Sequence, residues 1–69
     1  MASSESIRTA VLSTIDEIGK ESGMARIEDL YDRLKEKYNI DRVTAGKMVV
    51  ELFKEGKLQS QLYHFIKTT

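Results

Sequence analysis

The sequence predicts a small α+β unit, three helices followed by a short β-hairpin, as a single domain over residues 1–69. Three observations carry that expectation. Apolar residues recur at helical spacing in three separate stretches. The last stretch loses that spacing and fills with aromatic and β-favouring residues. The chain also has neither proline nor cysteine, so helices run uninterrupted, and a core this near the lower size limit must hold by packing alone.

The first helix is expected over about residues 4–21. Ser3 or Ser4 supplies the cap, Glu5 suits the positive end of the helix dipole, and Ile7, Val11, Ile15 and Ile18 form the buried stripe. Ser22-Gly23 stops it, with Gly23 suited to the left-handed position. Met24-Ala25-Arg26-Ile27 is too short for a helix and reads as a single short strand.

A second amphipathic helix follows over 27–38. Ile27, Leu30, Tyr31, Leu34 and Tyr38 lie on one face, with acids early and bases late on the other. Asn39 ends it in the left-handed region. Ile40-Asp41 then restarts the chain as hydrophobic staple and N-cap. In the third helix, 42–55, a wheel centred on Val49 gathers Ala45, Leu52, Phe53 and Gly56 toward the core. Lys47, Glu51 and Lys54 fall opposite, with Thr44 beside them. The hairpin, 57–67, is expected as strands near Lys57–Ser60 and Leu62–Lys67, joined tightly around Gln61, although no Asn-Gly or Asp-Gly marks the turn.

Composition narrows the function. With no cysteine and one histidine there is no disulfide, no thiolate zinc site and no expected cofactor. No apolar run approaches membrane-spanning length and the first residues lack a signal-peptide pattern, so an intracellular, cytoplasmic or nucleoid-associated protein is expected, without membrane partners or a small-molecule substrate. An enzyme is not expected: Asp16-Glu17 and Glu28-Asp29 are surface pairs without a nucleophile or base beside them, and the four glycines form no phosphate loop. The apolar stripes do not sustain heptads, which argues against a coiled-coil module. Formal net charge is zero, so the overall field gives no push toward nucleic acid. Lysine and arginine nevertheless outnumber acids from Val43 onward, four to two.

Arg26-Ile27-Glu28-Asp29-Leu30-Tyr31, the Ile40-Asp41 turn and Val49-Val50-Glu51-Leu52-Phe53-Lys54-Glu55-Gly56-Lys57-Leu58 together resemble a winged helix-turn-helix. Within that superfamily, the length of the first helix, the Ile-Asp turn and Phe-Lys-Glu-Gly-Lys-Leu before an aromatic strand are most similar to the C-terminal domain of archaeal minichromosome maintenance helicases. Gln59-Ser60-Gln61-Leu62 stands where that group has a proline-glycine turn.

The resemblance implies a non-catalytic module that binds double-stranded DNA, with the third helix in the major groove and the wing on phosphate or the minor groove. It also implies an accessory role in a replication or transcription machine. Lys47 and Lys54 are then the phosphate-neutralising residues, Thr44 a donor to phosphate or a base edge, and Arg42 a contact to backbone or guanine. Lys57, Gln59, Gln61 and His64 would add contacts from the wing, with Lys67 following. So few cations imply modest, salt-dependent affinity.

Each has a plainer reading. Outer-face lysines are commonly just solvated, and Glu51 in the middle of that face would repel phosphate. His64 reads as structural, and Tyr31, Tyr38 and Phe65 as core or core edge, with Tyr63 outside. Val43 and Val50 lie on a flank of the third helix, with Gly46 between them, roughly 100° from the expected core centre. Packed, they are ordinary core; exposed, they suit a protein partner better than DNA. Protein contact, including regulation of a helicase, is thus the alternative to DNA binding.

Overall fold

The computed structural model describes residues 4–23, 25–61 and 65–68. The three expected helices form within a residue of their expected ends: α1 over Ser4–Ser22, α2 over Ile27–Tyr38 and α3 over Arg42–Lys54. Three strands complete the fold, β1 (Ala25–Arg26), β2 (Leu58–Gln61) and β3 (Phe65–Thr68), in one antiparallel sheet ordered β1-β3-β2.

Helix α1 is the backbone of the core, contributing Ala10, Val11, Ile15 and Ile18. Thr14 is buried beside them, its hydroxyl donating to the Ala10 carbonyl at 2.7 Å, so no buried polar atom is left unpaired there. Leu30 and Leu34 of α2, Ala45, Met48, Val49 and Leu52 of α3, and Leu58, Ile66 and Ala25 of the sheet close over it. Ion pairs join the helices to one another. Arg33 and Lys37 of α2 bridge to Glu21 and Glu17 of α1 at 2.7 and 3.0 Å; Arg42 of α3 bridges to Glu28 of α2 at 2.6 Å; Arg8 of α1 pairs with Glu55 after α3.

The helix ends follow from local chemistry. Asn39 is left-handed (φ 55°) and its N–H donates to Lys35 O at 3.1 Å, while Ile40 turns inward and is buried. Asp41 is extended, and its carboxylate accepts from the Thr44 hydroxyl at 2.5 Å and the Thr44 amide at 3.4 Å. At the far end Gly56 takes φ 75°, which lets Lys57 N–H reach Leu52 O at 2.9 Å and Gly56 N–H reach Phe53 O at 3.1 Å. A side chain at Gly56 would be strained in that conformation.

Three expectations need correction. Gln61 is not a turn residue: it belongs to β2 and pairs with Phe65, so the connection is residues 62–64. A two-residue turn centred on Gln61 would have needed residues at positive φ, which Ser60, Gln61 and Leu62 do not favour. Tyr38 is 46% exposed rather than core, because the part of α1 beside it presents small side chains (Ser6, Ala10, Ser13) that leave an open hollow. The core sector of α3 is also turned from its expected centre. It runs through Met48 as well as Ala45, Val49 and Leu52, while Phe53 is half-buried. Ser3, Tyr63 and His64 lie outside the described residues, as does the side chain of Phe65.

Leu52 is fully buried where α3 meets the rest of the core, so Leu52→Ala should cost about 2–5 kcal/mol of unfolding free energy in a denaturant titration. Acid should loosen the fold as well. Hydrogen bonds from the Thr44 hydroxyl to Asp41, from Lys37 to Glu17 and from Arg8 to Glu55 hold all three carboxyls below their ordinary range. Depressed folded values mean that this stabilisation is present above the ordinary range, about pH 4, and is lost as pH falls through the lowered values. Asp41→Ala should therefore be less stable than wild type at pH 7, and the gap should close on acidification below pH 4 if the cap carries it.

Candidate interaction surface on the third helix

The rotation of α3 decides what it presents to solvent. With Ala45, Met48, Val49 and Leu52 buried, the core direction lies about 50° from Val49 toward Met48, at roughly 100° per residue. Val43, Lys47, Val50 and Lys54 then fall within about 30° of the outward pole. Their spacing of four, three and four residues makes one continuous stripe. Val43 is 66% and Val50 53% exposed, and Lys47 and Lys54 are exposed without an ion pair among the described residues. Valines expected on a flank are thus at the centre of the outer face.

Gly46 lies beside the stripe and leaves its flank low. A Cβ added there would meet the Tyr31 hydroxyl at 3.6 Å, an ordinary contact. Tyr31 of α2 is half-buried, and the Arg42 guanidinium sits over its ring, 5.0 Å from the centroid. The same guanidinium donates to Glu28, whose hydrogen bond and charge hold Arg42 still more firmly protonated. Arg42 is therefore a compensated cation that borders the stripe. Tyr31 and Glu28 were not among the expected site residues. Their part arises across the α2–α3 turn, from residues 11 and 14 positions away, where no local spacing pattern reports it.

The remaining candidates divide. The Thr44 hydroxyl spends its one proton on Asp41, and the side chain is half-buried on a flank rather than outward. Glu51 is exposed but lies on the flank toward α1, where its charge acts on Arg8; it is not in the middle of the outer face. Lys57 is exposed at the end of the α3–β2 turn. Gln59 is exposed on β2 opposite Lys67 of β3, which is half-buried and borders a shallow hollow against the end of α1 with Gly19, Lys20 and Gly23. Gln61 occupies the last position of β2; its side chain, like all of His64, lies outside the described residues.

Among the described residues no three His, Cys, Asp or Glu side chains are grouped to hold a metal ion. A broad hollow between α1 and the end of α3 is open to solvent and is lined by Leu12 with Thr9, Ser13, Asp16, Glu55 and Lys57. No described helix is long and apolar enough to cross a membrane. No protein-family model matches the chain, and no curated protein matches it in sequence.

Because the backbone at Gly46 is helical and its added Cβ meets an ordinary contact, Gly46→Ala should raise stability by about 0.5–1 kcal/mol in chemical denaturation. A loss instead would mean that the Tyr31 hydroxyl cannot tolerate the methyl group.

Proposed function

We propose that the chain is a non-catalytic winged-helix module whose third helix is its working surface, and that this surface receives a protein partner. Three helices ahead of an antiparallel β2–β3 hairpin, with the Ile40-Asp41 turn between α2 and α3, support the winged-helix part. The likeness to the helicase C-terminal domain fits an accessory or regulatory module working beside a larger machine.

One observation carries the choice of partner: two valines more than half exposed stand at the outward pole of α3. Burying them against a protein removes apolar area from water, at about 25 cal/mol per Å². Against phosphate they gain nothing. Of the four DNA-contact candidates on that helix, two are already engaged, Arg42 by Glu28 and Thr44 by Asp41.

Double-stranded DNA is the second reading, favoured by the exposed Lys47, Lys54 and Lys57. In that reading the valines would touch thymine methyl groups and the lysines would neutralise phosphates. Three cations predict weak, non-specific affinity that falls steeply with salt.

The two are separated by placing a photo-crosslinking residue at position 50 of the chain in cells. A discrete protein adduct that is absent when the group stands at position 29, on the outer face of α2, is the expected result. Nucleic-acid adducts would overturn it, together with micromolar, salt-sensitive duplex binding that Lys47→Ala/Lys54→Ala abolishes.

A further inference from the structure

Resting on the protein-docking reading, we infer the chemistry of the partner: an acidic amphipathic helix that lays its apolar stripe on Val43 and Val50 and its carboxylates on Lys47 and Lys54. The argument begins with spacing. Val43 and Val50 are seven residues apart on one helix face, about 10.5 Å along the axis. A second helix crossing at a shallow angle matches that separation with two apolar residues of its own, also seven apart. Gly46 adds no side chain beside the strip, and the Tyr31 hydroxyl, 3.6 Å from where its Cβ would stand, forms the edge on that side.

Charge then selects among helices. Lys47 lies between the two valines in the stripe and Lys54 one turn beyond Val50, both exposed and both without an acidic partner among the described residues. The other side is bordered by Arg42, whose charge Glu28 already offsets. The strip thus carries two cations that docking would partly desolvate. Carboxylates on the incoming helix would offset that cost; a neutral or basic helix would not.

The same placement argues against a second copy of this chain. A twofold axis pairing two α3 helices antiparallel through Val43 and Val50 passes near Gly46 and Lys47, and sets Lys47 against its symmetry mate. Like charges so placed destabilise the pair.

The test uses the intact, isotope-labelled chain and four probes, followed by amide chemical shifts and calorimetry. The first is a helical peptide of about 15 residues with leucines along one face and glutamates flanking them. The second has glutamine for each glutamate, the third serine for each leucine, and the fourth is a mixed-sequence DNA duplex. The first peptide should bind at micromolar strength, shifting Val43, Gly46 and Val50. Its affinity should fall at least about fivefold in Lys47→Gln/Lys54→Gln and at high salt, and should be lost in Val43→Ser/Val50→Ser. The third peptide should not bind.

Equal binding of the glutamine peptide at the same residues overturns the acidic partner while leaving the docking surface standing. Binding of the duplex there, with no peptide binding, removes the docking reading itself. Silence from all four probes overturns the inference, and the crosslink at position 50 then decides the reading alone. A concentration-dependent dimer abolished by Val43→Ser assigns the strip to a second copy and overturns the inference as well.

Discussion

What α3 shows to solvent is set at its first turn. Ile40 is driven inward by burial, and one residue later the Asp41 carboxylate takes both the hydroxyl and the amide of Thr44. Between them these fix where the helix begins and at what rotation. A helix begun one residue later would carry every side chain about 100° around the axis. Met48 would leave the core and the valines would leave the surface. The far end is held with equal economy, by left-handed Gly56 and the bond from Lys57 N–H to Leu52 O. Between those anchors, Ala45, Met48, Val49 and Leu52 have one way to pack, and the outer stripe is its geometric complement.

The seams between helices add a second layer of fixation that works through charge. Arg33 and Lys37 join α2 to α1, Arg42 joins α3 to α2, and Arg8 joins α1 to the end of α3. All of these are exposed pairs, and each contributes little to stability on its own. Their larger effect is to decide which cations stay available. Arg8, Arg33 and Arg42 are spent on pairs within the fold, whereas Lys47 and Lys54 are left to whatever comes to the surface.

The sequence made the elements legible because their signals are local. Caps such as Asp41, stops such as Gly23 and Asn39, and stripes such as Val11-Ile15-Ile18 lie within a turn or two of what they determine. The hairpin's connection was misplaced because strand register depends on partners distant in the chain. Ile66 must face Ala25 of β1 as well as Ser60 of β2, and that double constraint cannot be seen from the hairpin alone. The candidate surface was legible in part. Lys47 and Lys54 fell outward on the wheel, and Val43, Gly46 and Val50 were recognised as the residues whose exposure would matter. What the wheel missed was a rotation of about 50°. Met48 is long and flexible enough to fill core space beyond the aliphatic stripe, and its burial turned the helix. Tyr31 and Glu28 joined the surface only through tertiary packing.

Zero net charge invites the conclusion that electrostatics is idle here, but the arrangement of charges says otherwise. Lys47 and Lys54 stand on the outer face of α3 without an ion pair among the described residues, while Asp29, Asp32 and Glu36 stand on the outer face of α2. Such a molecule has no monopole, yet it has a dipole. A charged body approaching it exerts little net pull and a definite torque, within a screening length of about 8 Å at physiological salt. The chain would be turned before it is drawn in, so that orientation rather than attraction becomes the quantity its surface charges govern.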